Sequence, residues 1–215
     1  MQYCNGGDLD DLRQLRGRFS EQEARYFISQ IMQGFRAINQ MNVLHRDLKL
    51  ANILVHFKEA DNDTVLSGGL RYQEYKKTIP LVGNVDVVIA DLGFAKQLQD
   101  TDLTKTMCGT PLYMAPEILK GLPYSSKVDV WSLGAVFYEM ITGFTPFTGT
   151  NKDNLKDNLE QGNYRFPKHI RMSLEGLDFL NCCLQHNPAD RMDWDELMRH
   201  NYLNYDHTQF MEEQQ

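Results

Sequence analysis

The stretch His45-Arg46-Asp47-Leu48-Lys49-Leu50-Ala51-Asn52 decides how this chain is read. It puts an imidazole, two cations, a carboxylate and an amide into eight residues, between the apolar runs Val43-Leu44 and Ile53-Leu54-Val55. A polar cluster bounded by short apolar runs is a loop carrying chemistry between short β segments. Asp47 can accept a proton, and Lys49 can place a point charge two residues on. Asn52 adds an oxygen suited to a hard cation.

Upstream, Ser20 and Glu23 form a capping box, and Ala24, Phe27, Ile28, Ile31, Met32, Phe35 and Ile38 keep helical spacing, so one face of this helix is core. Downstream, residues 58–86 hold nine charged residues and Gly68-Gly69, which predicts a mostly exposed loop. Val87-Val88-Ile89-Ala90 resumes a buried strand. Residues 126–142 are apolar on nearly every face, the pattern of a central buried helix. Leu174, Leu177, Leu180 and Leu184 mark another helix, and Trp194, Leu197 and Met198 a last one. The predicted class is mainly α with a few short β-strands, ending in a polar tail over 203–215.

Composition narrows the function. The 215 residues carry a formal net charge of −7, against an electrostatic nucleic-acid binder. No run of about 18 apolar residues predicts a membrane span, and the N-terminus shows no secretory pattern. Cys4, Cys108, Cys182 and Cys183 lack metal-ligand spacing and read as reduced thiols, which predicts an intracellular, cytoplasmic protein.

Three further motifs follow the opening stretch in order: Asp91-Leu92-Gly93 after a β segment, Cys108-Gly109-Thr110-Pro111-Leu112-Tyr113-Met114-Ala115-Pro116-Glu117, and Asp129-Val130-Trp131-Ser132-Leu133-Gly134. With 45–52 matching the pattern H-R-D-x-K-x-x-N, the chain resembles the C-terminal lobe of a eukaryotic protein kinase of serine/threonine type, over about residues 1–202. The resemblance implies an α+β kinase-like lobe with protein substrates, ATP and Mg²⁺. Asp47 would take the substrate hydroxyl proton, Lys49 would reach the transferring phosphate, and Thr110 would bridge the two. Asn52 and Asp91 would bind the metal. Glu117 would pair with Arg191, Asp129 would hold the backbone of the loop, and His45 would pack on Leu92, which stands where Phe is usual. Leu50 stands where Pro is common. Arg46 would receive a phosphorylated Thr106.

The opening Met1-Gln2-Tyr3-Cys4-Asn5-Gly6-Gly7-Asp8-Leu9 resembles the hinge between kinase lobes. Gln2 and Cys4 would offer backbone groups to adenine, Leu54 its floor, and Asp8 would face the ribose or a basic substrate residue. No two of the fifteen glycines are separated by one residue, so no G-x-G-x-x-G occurs, and no V-A-I-K-like strand precedes residue 45. The expectation is a hinge plus C-lobe with the N-lobe absent, hence a weakly active or inactive fragment. A genuine half-kinase and a longer reading frame truncated at Met1 are both open; the second is favoured, since a hinge without nucleotide has no reason to persist.

The hinge, Asp91-Leu92-Gly93-Phe94-Ala95-Lys96 and Thr106-Met107-Cys108-Gly109-Thr110-Pro111 resemble the autophagy-initiating kinases, which also lengthen the loop before the metal-binding Asp. Here 39 positions separate Asn52 from Asp91, and the 58–86 loop insertion reads as solvated or as a regulator's docking site. The alternative function is a catalytically silent kinase-like binding module; both Asp47 and Asp91 are present, against it.

Overall fold

The structure is a computed structural model and describes residues 4–58, 70–97, 111–162, 164 and 166–203. Helix α1 (Leu9–Arg16) starts where the Asp8 carboxylate accepts the Asp11 amide, carries Asp10 and Asp11 in its first turn, and stops at Gly17 with φ +86°. Helix α2 (Glu21–Gln40) begins at the Ser20–Glu23 capping box and buries the seven residues the spacing predicts. Strand β1 (Val43–Leu44) leads into the polar loop, a 3₁₀ turn at Leu50–Asn52 and strand β2 (Ile53–Phe57). Helix α3 (Leu70–Thr78), strand β3 (Val85–Ile89), a 3₁₀ turn at Leu92–Phe94 and strand β4 (Lys96–Gln97) follow. The remaining helices are α4 (Pro116–Leu119), α5 (Lys127–Thr142), α6 (Lys152–Glu160), α7 (Leu174–Cys183) and α8 (Trp194–Met198).

Helix α5 is the axis of the core. Every residue from Val128 to Thr142 is buried, because α2 and α7 pack against it. Gly134 lets α7 approach closely: a Cβ there would lie 2.6 Å from the Cys183 Cβ. Stacked Phe35 and Trp194 rings, 4.5 Å between centroids, join α2 to α8. The mainly helical class with a few short strands holds. Among the described residues no helix is long and apolar enough to cross a membrane.

The strands form two antiparallel pairs, β1 with β4 and β2 with β3. Leu44 faces Lys96, and Ile53 faces Ile89. Side-chain amides cover both outer edges of the β2–β3 pair. Asn5 bonds the Phe57 amide (2.7 Å) and carbonyl (3.0 Å). Gln30 does the same for the Val85 carbonyl (3.1 Å) and Val87 amide (2.9 Å).

Three expectations need correction. Residues 70–78 of the 58–86 segment are helix rather than exposed loop; Tyr72 and Tyr75 pack their rings on Phe57, and Tyr72 and Lys76 are buried. Tyr72, Tyr75 and Lys76 keep helical i, i+3, i+4 spacing, but a lysine in that face carries no apolar signal, so the face does not read as amphipathic. Strand β3 also starts two residues before Val87. On α7, Leu174 is 81% exposed, because it opens the helix; Gly176, Phe179, Leu180 and Cys183 face inward.

Candidate active site

The polar loop owes its path to a carboxylate far away in sequence. Asp129, in the first turn of α5, accepts the His45 amide at Oδ2 and the Arg46 amide at Oδ1, both at 2.8 Å. Burial pushes the Asp129 carboxyl above its usual range, against the two amides that favour its charge. Arg46 turns the chain with φ +67°. Its guanidinium reaches the Tyr124 hydroxyl at 3.4 Å.

His45 joins this loop to the one after β3. Its Nδ1 accepts the Asp47 amide (3.3 Å), so Nε2 carries the proton and donates to the Ala90 carbonyl (3.0 Å). The sequence reading packs His45 on Leu92. Leu92 is 51% exposed, and the His45 and Phe35 ring centroids lie 6.0 Å apart. A 3₁₀ turn lifts residues 92–94 off β3 and carries Leu92 outward.

Asp47 is buried and its carboxylate is gripped. Lys49 Nζ approaches Oδ2 at 2.8 Å, and Asn52 Nδ2 donates to Oδ2 at 3.0 Å and to the Asp47 carbonyl at 2.8 Å. The ladder then sets Asn52 against the next motif. Ala90 N donates to the Asn52 carbonyl at 2.9 Å, and Asp91 follows immediately. Asp91 takes a left-handed conformation, φ +61°, that Asp tolerates better than most residues. Its exposed carboxylate accepts the Gly93 amide at 3.1 Å. Asp47, Lys49, Asn52 and Asp91 thus gather where the two loops meet, presenting a proton acceptor, a cation and hard oxygen donors.

The segment at residues 4–8 runs along β2. Gly6 N donates to the Val55 carbonyl (2.8 Å), Val55 N to the Gly7 carbonyl (2.9 Å), and Asp8 bridges to Leu54. Cys4, Asp8 and Leu54 therefore line one region, each half-buried. Burial raises the Cys4 thiol and, as the larger effect, the Asp8 carboxyl. The Asp8 carboxylate is already the cap of α1. Gln2, Thr106 and Thr110 lie outside the described residues.

Behind the loop, Arg191 makes two bonds to Glu117, at 2.8 and 3.1 Å, both side chains buried. Sequence reasoning missed a second polar link. The Tyr113 hydroxyl donates to Glu139 (2.5 Å), whose other oxygen lies 3.7 Å from Arg13 Nε, so α5 ties the segment before α4 to α1. A second carboxylate inside a mostly apolar helix was the available signal. Asp178, Cys182 and His200 also bring three ligand-type atoms within 4.8 Å of one another. There His200 Nδ1 accepts the Tyr202 amide, so Nε2 holds its proton and faces Asp178 at 3.2 Å. That neutral tautomer suits a hydrogen bond to Asp178 rather than a metal ligand.

Comparison with known proteins agrees with this geometry. The protein kinase domain model matches residues 1–203. Serine/threonine-protein kinase ATG1c of Arabidopsis thaliana is 36% identical over 205 residues, 94% of this chain and 25% of the relative. Human serine/threonine-protein kinase ULK1 is 35% identical over 204 residues, 94% of this chain and 18% of the relative. Serine/threonine-protein kinase unc-51 of Caenorhabditis elegans is 33% identical over 204 residues, 94% and 22%. The chain thus spans a quarter or less of these relatives' length. The match takes in the gripped Asp47, the Asn52–Ala90 ladder and the Asp129 anchor together: the chain belongs to the protein kinase domain family, with serine/threonine kinases as its relatives.

Proposed function

We propose that this chain is the hinge and C-terminal lobe of a serine/threonine protein kinase that transfers the γ-phosphate of ATP to protein hydroxyls, in autophagy-type signalling. The observation that carries the reading is the Asp47 carboxylate held by Lys49 and Asn52, with Asn52 laddered to Ala90 beside Asp91. The resemblance of the hinge and of residues 91–96 to the autophagy-initiating kinases supports the signalling class.

Phosphoryl transfer needs positioning and charge neutralisation more than covalent help. Asp47 orients the substrate hydroxyl by accepting its hydrogen bond and takes its proton late. Lys49, already beside that carboxylate, lends positive charge to the phosphoryl group in transit. The donor set fits Mg²⁺: Asn52 commits its NH₂ to Asp47, leaving a carbonyl oxygen, and Asp91 presents an exposed carboxylate. Bound there, the ion would neutralise phosphate charge. Cys4 and Gln2 would offer backbone groups to adenine over Leu54, Asp8 would face the ribose or a basic substrate residue, and Thr110 would bridge Asp47 and Lys49. Thr106, once phosphorylated, would dock on Arg46 and order the intervening segment. The 215 residues contain no glycine-rich phosphate loop and no V-A-I-K-like strand before residue 45, so made alone they would transfer little phosphate.

The test is phosphate transfer from labelled ATP to a mixed Ser/Thr and Tyr peptide library. It uses this chain alone and the chain preceded by its upstream coding sequence, each with Asp47→Asn. Transfer to Ser/Thr peptides by the longer protein, reduced about 10²–10⁴-fold by Asp47→Asn, supports the reading. Transfer unaffected by Asp47→Asn would overturn the assigned role, and strong Mg²⁺-dependent transfer by the 215 residues alone would overturn the expected weakness.

A further inference from the structure

Helix α3, inside the segment between β2 and β3, is fastened to residues 5 and 6. The Tyr72 hydroxyl donates to the Asn5 carbonyl, and Lys76 Nζ donates to the Gly6 carbonyl at 3.2 Å. Lys76 is only 8% exposed, and among the described residues no carboxylate lies within ion-pair distance of it. A buried ammonium is costly unless its protons find partners, so this lysine has a defined task. Its charge also lies 5.3 Å from the Tyr72 ring centroid. From the other side Arg16 of α1 donates to the Lys76 carbonyl at 2.9 Å and also bonds the Ile79 carbonyl, closing the helix end against α1.

Residues 5–7 are therefore held on two sides. On one side β2 takes the Gly6 amide and the Gly7 carbonyl, and Asn5 extends the pairing to Phe57. The fit is close, since a Cβ on Gly6 would lie 2.7 Å from the Val55 carbonyl oxygen. On the other side α3 takes the Asn5 and Gly6 carbonyls. The outward face of α3 is polar and exposed at Arg71, Gln73, Glu74 and Lys77, so the inserted segment has an open side as well as an anchored one.

We propose that α3 is a strap that sets the backbone of residues 4–7, with Lys76 and Tyr72 as positioning residues for the nucleotide hinge. The effect on nucleotide rests on the hinge reading above; the strap does not. Anything that removes the Lys76 charge or draws α3 away would loosen residues 4–7 and weaken nucleotide binding without touching Asp47, Asn52 or Asp91.

The experiment compares the chain with Lys76→Met, Lys76→Arg and Tyr72→Phe by amide hydrogen exchange, and by titration with Mg²⁺-ATP on the chain with its upstream sequence. Expected is exchange at Gly6 and Val55 faster by about tenfold or more in Lys76→Met and Tyr72→Phe, with exchange in α5 unchanged. Lys76→Arg, which keeps a cationic donor, restores most of the protection. ATP affinity falls in the same two variants. Exchange at Gly6 and Val55 unchanged in both variants overturns the strap, and so does equal acceleration throughout α5, which would mean a general loss of stability. Faster exchange with undiminished ATP affinity overturns the positioning role. Absence of any ATP binding by the unaltered longer protein overturns the hinge reading, while the exchange result still decides the strap.

Discussion

Replacing Arg191 with methionine should cost much of this chain's stability, and the structure says why. The Arg191 side chain has no exposed surface and that of Glu117 has 5%. The guanidinium makes two bonds to Glu117 and also donates to the carbonyls of Gln185 (3.0 Å) and Lys127 (2.8 Å). It lies 5.0 Å from the Trp131 ring centroid. Removing it leaves the Glu117 charge buried without a partner, about 3–5 kcal/mol. The two orphaned carbonyls add to this, partly offset by methionine packing on Trp131, so about 4–6 kcal/mol is expected. That is a large part of the roughly 5–15 kcal/mol available to a domain. Urea unfolding followed by far-UV circular dichroism measures it, with the slope checked for constancy. The double variant Glu117→Leu/Arg191→Met is the sharper comparison, because it leaves no buried charge. It should be more stable than Arg191→Met alone. A loss below about 1 kcal/mol in Arg191→Met, or a double variant no better than the single, would refute the argument that an uncompensated charge dominates.

Asp129→Asn should loosen the polar loop: an amide offers one acceptor to two backbone N–H groups, so either His45 or Arg46 faces an NH₂, and about 1–3 kcal/mol of stability is lost, read by urea unfolding. Gly134→Ala should destabilise by about 1–3 kcal/mol, although alanine favours helix, because its methyl would meet Cys183; a thermal melt at or above the unaltered value would refute this. Burial holds the Glu139 carboxyl above its usual value of 4.5, against the opposing pull of the Tyr113 hydroxyl and Arg13. The folded state thus keeps this proton to higher pH than the unfolded state. The group's contribution is fully present below about pH 4.5 and is lost as pH rises through the folded value. Glu139→Gln should remove that loss, so its stability relative to the unaltered chain improves between pH 4 and pH 7; parallel curves across that range would contradict it.

How far the fold could be read from the sequence depended on the range of the interaction. The Ser20 cap and the buried faces of α2 and α5 are local periodicities, and they were legible. The proximity of Asp47, Asn52 and Asp91 was legible only through motif order, since 38 residues intervene between the last two. Helix α3 was not legible, because its inward face is two tyrosines and a lysine, and lysine ordinarily signals solvent. The Asn5 and Gln30 edge caps were invisible for a similar reason: a polar side chain substituting for a strand partner leaves no hydropathic trace. The outward position of Leu92 was missed because an apolar residue was assumed to have a packing site to fill.

The β2–β3 register explains how so long an insertion coexists with a precise site. Slipping β3 by one residue would shift Asp91 by about 3.3 Å along Asn52 and turn alternate side chains to the other face. Such a slip would break the Ala90–Asn52 bond and the His45–Ala90 bond together, at the chemical end of the ladder. It would also unseat Gln30 from Val85 and Val87 at the outer edge. Loop closure opposes pairing only weakly by comparison, each doubling of loop length costing about 0.6 kcal/mol. Residues 58–84 can therefore grow between the strands without moving Asn52 relative to Asp91. The insertion is accommodated where length costs least, and α3 returns from it to the residues beside β2 rather than to the loops that carry the chemistry.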